Sequence, residues 1–185
     1  MRSGYKFNIF FLAAFLSALF VKAQHKSSDF SDLVPFVTTP VEVVKAMLEI
    51  ADINPNDILY DLGSGDGRIS IFAAQQYGIR SKGVEIDADL VRLANQNAKE
   101  AGVKDLVSFI EGDLFELDLS QATVLTLYLF PDINLKLRPR ILEMKAGTRI
   151  ISHRFDMGDW EPDKVQKIKL PDGKEHIIYL WVLKD

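Results

Sequence analysis

The chain has 185 residues, 48% of them hydrophobic, with a formal net charge of −4 and no cysteine. That size and content suffice for one domain with a substantial core, and the lack of cysteine excludes disulfides, thiolate catalysis and cysteine-based zinc sites. The three histidines are scattered, which argues against a metal site, and no block of basic residues is present. Because nucleic-acid binding normally requires a basic surface, we expect no nucleic-acid partner.

The N-terminal 23 residues have the pattern of a targeting segment. Two cations precede an apolar run over residues 7–21, and Val21-Lys22-Ala23 offers small side chains at the −3 and −1 positions of a cleavage site. These features predict a signal peptide over residues 1–23 and a polar, flexible lead-in over residues 24–34. We therefore expect an exported, extracytoplasmic domain. The alternative is a membrane anchor formed by residues 7–21, although that run is short for a bilayer span of about 20 residues. The membrane is a partner only in that case.

A helix is predicted to begin at Thr39-Pro40-Val41-Glu42. Thr39 suits the N-cap, Pro40 suits the first helical position, and Glu42 stands three residues after the cap, as in a capping box. The apolar residues that mark one face of this helix are Val44, Met47, Leu48 and Ala51.

The most informative stretch covers residues 57–68 and reads Asp-Ile-Leu-Tyr-Asp-Leu-Gly-Ser-Gly-Asp-Gly-Arg. A short apolar strand runs into Asp61 and three alternating glycines, and an amphipathic helix over residues 69–76 follows at once. Glycines let a ligand approach the main chain, and the start of the helix directs unpaired N–H groups at that ligand. The spacing D-x-G-x-G-x-G does not fit a dinucleotide loop, because Arg68 replaces its last glycine. It also lacks the Gly-Lys-Ser/Thr of a P-loop.

Acidic residues stand at the ends of the next two predicted strands. Glu85 lies in the strand over residues 83–87, 22 residues after Gly63, where an acid is placed to accept hydrogen bonds from ribose hydroxyls. Asp113 lies in the turn that ends the strand over residues 107–114. With Asp61, these residues place three acids on one edge of the sheet, which favours a nucleoside-type ligand over three unrelated helix caps.

The remaining elements alternate in a way that predicts a parallel sheet with helices on both faces. They are a helix over residues 88–100 closed by Gly102, a nearly all-apolar strand over residues 122–129, a helix over residues 138–145 that starts at Pro139, a strand over residues 148–153, and a terminal hairpin of residues 164–170 and 176–183. An apolar strand is typical of the buried middle of such a sheet.

The glycine loop with its three acids resembles motif I and the following strands of the class I S-adenosylmethionine (SAM)-dependent methyltransferases. The resemblance covers residues 34–185. It implies an α/β, Rossmann-like class I methyltransferase fold, with a seven-stranded, mostly parallel sheet whose last strand is antiparallel, in one domain over residues 35–185. The segments 34–40 and Tyr128-Leu129-Phe130-Pro131 are similar to a group of small bacterial methyltransferases. These are in turn similar to the mitochondrial lysine methyltransferases of the ATP synthase c-subunit and the adenine nucleotide carrier.

The resemblance implies SAM as the methyl donor and assigns residues to it. The expected donor-binding residues are Thr39, Asp61, Gly63, Ser64, Gly65, Gly67, Glu85, Asp113 and Leu114. Catalytic candidates are Tyr128, whose hydroxyl could meet an amine, and His153, which could act as a base. A core tyrosine and a structural histidine are the alternatives for these two. No Asn-Pro-Pro-Tyr motif follows the fourth strand, so the amide and adenine amino methyltransferases are not matched. A lysine acceptor rests on the general resemblance, and the acceptor stays open between a protein lysine and a small molecule.

These observations predict a SAM-dependent methyltransferase, with a protein lysine amine as one acceptor. The alternative is an exported module of the same fold that binds SAM or a nucleoside without transferring a methyl group. A nicotinamide-dependent reductase is disfavoured by the glycine spacing. Export would require an external supply of SAM, which is made in the cytoplasm.

Overall fold

The computed structural model describes residues 36–185. The segments assigned to a signal peptide or anchor (1–23) and to a lead-in (24–34) therefore lie outside the described residues, and both assignments stay predictions. Between residues 36 and 185 the structure has no helix that is long and apolar enough to cross a membrane.

Residues 36–185 form four helices and seven strands. The helices are α1 (Val41–Ile50), α2 (Arg68–Tyr77), α3 (Ala88–Glu100) and α4 (Pro131–Leu142). The strands are β1 (Ile58–Leu62), β2 (Arg80–Glu85), β3 (Val107–Glu111), β4 (Val124–Leu127), β5 (Arg149–His153), β6 (Lys164–Lys169) and β7 (Glu175–Val182).

All seven strands belong to one sheet, in the order β3-β2-β1-β4-β5-β7-β6. The first five pair in parallel, and β7 pairs antiparallel with both β5 and β6. This confirms the predicted α/β fold with its antiparallel last strand. The chain leaves β1 in one direction to build β2 and β3 and returns to its other side with β4. Ligands bind at the carboxyl ends of the strands where such a reversal occurs.

The two faces of the sheet are buried by different helices. The predicted face of α1 is confirmed, since Val44, Met47, Leu48 and Ala51 are at most 1% exposed and pack with Leu59 and other residues of β1, β5 and β7. The opposite face packs under Leu137 and Ile141 of α4, which are fully buried. Burial of each large aliphatic side chain contributes about 1.5–3 kcal/mol, so these contacts fix the sheet edge that carries the strand ends.

Two local predictions were wrong. The N-cap of α1 is Pro40, without a side-chain cap, because the hydroxyl of Thr39 lies against His153 instead. The last predicted helix begins seven residues early, at Pro131, and contains Pro139. Proline is well suited to the first helical turn, and buried residues along one face hold the helix together past the second proline, which is exposed. These are Ile133, Leu137 and Ile141.

Candidate active site

A cavity of about 360 Å³ lies at the carboxyl ends of β1, β2, β3 and β4. Its volume is within the usual range for small-molecule sites, about 300–1,000 Å³. Following the sheet order, the residues at the four strand ends are Asp113, Glu85, Asp61 and Tyr128, and all four line the cavity. Residues 36–39 and the start of α2 complete its wall.

The glycine loop is tied to the neighbouring strand. The N–H groups of Gly63 and Ser64 both donate to the carbonyl of Val84 in β2, at 3.0 Å each. Gly65 has φ of +53°, a conformation that residues with a Cβ rarely adopt, and a Cβ there would overlap the ring of Phe36. The loop therefore keeps its shape only with glycine at position 65.

Glu85 holds the loop from the end of β2. One carboxylate oxygen accepts the N–H of Gly65 at 2.9 Å, and the other accepts the N–H groups of Ile86 at 2.8 Å and Asp87 at 3.1 Å. A carboxylate offers about four lone-pair positions. Glu85 is therefore oriented by the backbone and retains capacity to accept a further hydrogen bond from a ligand in the cavity.

Asp113 stands in a turn of similar construction after β3. Its side chain accepts the N–H of Phe115 at 2.8 Å, and its carbonyl accepts the N–H of Glu116 at 3.0 Å. This turn brings Asp113, Leu114 and Phe115 to the cavity wall.

Asp61 is almost fully buried in the middle of the sheet, at 2% exposure. One carboxylate oxygen accepts the hydroxyl of Thr126 at 2.7 Å, whereas Oδ2 has no partner, and neither has the hydroxyl of buried Ser64. Burial raises the pKa of Asp61 to about 7; the bond from Thr126 opposes this, and the charges of Glu85 and Asp66 add to it. Unsatisfied buried polar atoms on a cavity wall are suited to a polar or cationic ligand.

The two catalytic candidates lie in different environments. Tyr128 lines the cavity, and its ring centroid is 4.1 Å from that of His153. His153 is fully buried and lies behind the wall, with Nδ1 3.3 Å from the Thr39 hydroxyl and Nε2 2.8 Å from Nδ1 of His176. Burial lowers the pKa of His153 to about 4, helped by the charges of His176 and Arg154. The imidazole is thus neutral at pH 7, and it adjoins the cavity through Tyr128 and Thr39, which line the wall.

Eight of the nine residues predicted to bind the donor line the cavity: Thr39, Asp61, Gly63, Ser64, Gly65, Glu85, Asp113 and Leu114. Gly67 is not part of the wall, and a Cβ there would lie 2.5 Å from Phe109, so its role is to let α2 pack closely. Phe36 on the cavity wall and Thr126 beside Asp61 were not among the predicted residues. Thr126 was detectable as a polar residue within an otherwise apolar strand, and Phe36 lies in the segment 34–40 that carries the family resemblance.

The residues on the cavity wall fit SAM. SAM carries a cationic ammonium, a cationic sulfonium and two ribose hydroxyls, and the wall offers several acids. Asp61 has a free oxygen for a cation, and Glu85 has capacity for hydroxyls. Roles of individual residues stay predictions.

Sequence comparison identifies related enzymes. The family described as the ANTKMT methyltransferase domain matches residues 61–164. A protein-lysine N-methyltransferase of Saccharolobus islandicus is 44% identical over 153 residues, which cover 81% of this chain and 94% of that protein. The adenine nucleotide translocase lysine N-methyltransferase of Mus musculus is 34% identical over 70% of this chain. That match covers 56% of the mouse protein, so the chain spans about half of its length.

Structural comparison agrees with this. The crystal structure of an RNA methyltransferase from Salinibacter ruber in complex with S-adenosyl-L-homocysteine is 55% identical, with a TM-score of 0.75, over 80% of this chain and 95% of that chain. A SAM-dependent methyltransferase from Thiobacillus denitrificans, also with S-adenosyl-L-homocysteine, shares the fold at 19% identity and a TM-score of 0.57, over 77% of this chain and 55% of that one. With the acid-lined cavity at the strand ends, these matches show that the chain belongs to the ANTKMT methyltransferase family and is a SAM-dependent methyltransferase.

Proposed function

We propose that this enzyme methylates lysine side chains of protein, with SAM held in the cavity at the carboxyl ends of β1–β4. The row of acids along that edge carries the proposal, above all buried Asp61 with its free oxygen. The relative from Saccharolobus islandicus, named as a protein-lysine N-methyltransferase and matched over 94% of its length, supports lysine as the acceptor.

In this proposal each strand end contributes to one part of the donor. Asp113 accepts from the adenine amino group, Glu85 accepts from the ribose hydroxyls, and Asp61 with the glycine loop holds the cationic methionine end. The order of these residues along the sheet supports the assignment, because they stand on consecutive strands. Tyr128 follows on β4, at the end of the row where the acceptor would enter.

SAM supplies an electrophilic methyl group. The protein has to hold the acceptor nitrogen in line with it, and the lysine ammonium has to lose its proton before the nitrogen can attack. Tyr128 is on the cavity wall and can orient the amine through its hydroxyl. His153 is hydrogen-bonded to Thr39 of the wall, and the burial that lowers its pKa to about 4 makes it a weak base. It is therefore suited to orienting the Thr39 hydroxyl, and the proton leaves to solvent.

A second candidate acceptor is RNA. The relative that favours it is the Salinibacter ruber structure, whose description names an RNA methyltransferase. The lack of a basic block in the sequence weighs against it, because RNA binding depends on neutralising phosphate charges. We therefore favour protein.

The test is to incubate the purified full chain with radiolabelled SAM and an extract of the source cell. Protein lysine methylation is expected to give label that survives ribonuclease, is lost with protease, and is recovered as methyllysine after hydrolysis. A Glu85→Gln variant should give much less label at the same SAM concentration. Label that follows RNA, or label equal in wild type and variant, contradicts the proposal.

A further inference from the structure

The loop after β3 is held by α4 as well as by its own turn. Asp113 binds the N–H of Phe115 and closes the start of the loop. The carbonyls further along need other donors, because buried or half-buried backbone groups without partners are costly. Three of these carbonyls, those of residues 114, 115 and 117, accept hydrogen bonds from a single side chain, Arg140.

Arg140 lies in the last turn of α4 and is half-buried. Its NH1 group donates to the carbonyls of Phe115 and, at 3.3 Å, Leu114. Its NH2 group donates to the carbonyl of Leu117 at 2.6 Å. The planar guanidinium carries five N–H donors in a fixed arrangement, so one side chain can set the shape of a whole loop.

A second residue of α4 contacts the same loop. Lys136 precedes Arg140 by four residues, so both lie on one side of the helix. Its Nζ lies 4.3 Å from the centroid of the Phe115 ring. The loop is thus attached to α4 through backbone and side chain, and the wall beside Asp113 takes its position from that helix.

We infer that Arg140 is a positioning residue for the methyl donor. It is not on the cavity wall; it acts through the loop that presents Asp113 and Leu114 to the ligand. The inference rests on the proposed binding of SAM in this cavity. Without the guanidinium the three carbonyls lose the hydrogen bonds that Arg140 donates, and the loop has to be ordered when SAM binds. Ordering a segment on binding lowers affinity, by about tenfold for a loss of this kind.

Arg138 provides a matched control in the same helix. It donates to the carbonyl of Met157 at 2.9 Å and pairs with Asp159, so it ties the loop after β5 in the way that Arg140 ties the loop after β3. Between residues 36 and 185, no residue of that loop (154–163) lines the cavity. Replacing either arginine by alanine removes one guanidinium of α4 and its hydrogen bonds to one loop. Only the loop after β3, which Arg140 binds, lines the cavity.

The experiment is calorimetric titration of S-adenosyl-L-homocysteine into the full chain, for the wild type, Arg140→Ala and Arg138→Ala. Arg140→Ala is expected to raise the Kd about tenfold, and Arg138→Ala to leave it within about twofold. In the transfer assay with extract protein as acceptor, Arg140→Ala should raise KM for SAM by the same factor and leave kcat almost unchanged. Equal affinity of wild type and Arg140→Ala, or equal weakening by both variants, overturns the inference.

Two further measurements keep the outcome decisive. If Arg140→Ala does not fold, Arg140→Lys replaces it, because an ammonium cannot span the three carbonyls, and wild-type affinity of that variant overturns the inference. If the wild type itself does not bind S-adenosyl-L-homocysteine at millimolar concentration, the proposed function fails. Wild-type binding with no effect at Arg140 rejects only the positioning role.

Discussion

Asp61 stands in the central strand with one carboxylate oxygen bonded to Thr126 and the other without a partner. Burial raises its pKa to about 7 from an ordinary value of 3.8. At a pH between these two pKa values, Asp61 is protonated in the native protein and ionised in the unfolded chain. The stabilisation by the protonated form is complete below about pH 4 and is lost as the pH rises through 7. The residue therefore lowers stability at the pH where its charge is needed for a cationic ligand.

Replacing Asp61 with Asn should change this pH dependence. The amide cannot ionise. We therefore expect the free energy of unfolding of Asp61→Asn, taken relative to that of the wild type, to rise by about 3 kcal/mol from pH 5 to pH 8. SAM binding by the variant should weaken. Urea unfolding of both proteins at the two pH values measures the difference, in which the contributions of all other groups cancel. A difference in stability that is the same at pH 5 and pH 8 would show that Asp61 is already ionised throughout.

Glu85 is expected to bind ribose hydroxyls, and Glu85→Gln should weaken SAM affinity. Hydrogen bonds to charged groups contribute about 1.5–3 kcal/mol, which corresponds to at least about tenfold in Kd. Glu111 is the matched control, because it pairs with Glu85 in register on β3, is exposed and is not on the cavity wall. Calorimetry should therefore give wild-type affinity for Glu111→Gln. If both variants bind alike, Glu85 has no contact with the ribose.

Alanine variants of Gly65 and Gly78 distinguish the effect of backbone strain from the effect of steric overlap. Both have positive φ, but a Cβ at Gly78 meets nothing within 4 Å, whereas one at Gly65 would overlap Phe36. Each alanine variant should lose about 1–2 kcal/mol of stability from strain. Only Gly65→Ala should also lose most of its SAM affinity. Chemical denaturation and calorimetry of the two variants test this, and unchanged SAM binding by Gly65→Ala would refute the loop geometry.

The sequence singled out the three acids and two glycines of the cavity wall, Gly63 and Gly65, because each is marked locally, as a residue type at a strand end. Thr126 is marked only as a polar residue within an apolar strand, and Arg140 carries no local signal. Thr126 meets Asp61 only because β1 and β4 pair in a register that places the two opposite each other, across 65 residues of chain. Arg140 likewise contacts its loop only through the tertiary fold, because the carbonyls that it binds lie 23 to 26 residues earlier in the chain.

At the scale of elements, α4 was the one misplaced helix. Pro139 indicated a helix start, yet it lies inside the helix, where it lacks the N–H that would bond the carbonyl of Leu135. Spacing of apolar residues decides the outcome, since Ile133, Leu137 and Ile141 recur every four residues and are buried. Tertiary packing thus overrides the local preference of proline. Strand predictions were accurate to within a few residues.

This misplaced helix yields a stability prediction. Pro139→Ala restores the missing backbone donor and removes the clash with the preceding turn, so we expect the free energy of unfolding to rise by about 1–3 kcal/mol. Thermal and urea unfolding measure it, and SAM affinity should not change. A less stable variant would mean that the proline stabilises the native state by restricting the unfolded chain.

At the scale of the whole molecule, the strand order brings residues that are separated in sequence into one site. Asp113, Glu85 and Asp61 are far apart in the amino-acid sequence. The strand order β3-β2-β1-β4 places them side by side along one edge of the sheet, after β3, at the end of β2 and in β1 respectively. The family resemblance implied a seven-stranded, mostly parallel sheet with an antiparallel last strand, whereas the order of the strands comes from the structure. Residues 1–35 lie outside the described part of the chain, and export after cleavage at residue 23 stays a prediction.

The central claim is that the cavity at this edge binds the methyl donor in a defined orientation. A crystal structure of the full chain with S-adenosyl-L-homocysteine tests it most directly. We expect the ribose hydroxyls on the carboxylate of Glu85, the adenine beside Asp113 and Leu114, and the amino group within hydrogen-bonding distance of Asp61 or its loop. A ligand bound elsewhere, or bound in this cavity with its adenine toward Tyr128, would contradict the account.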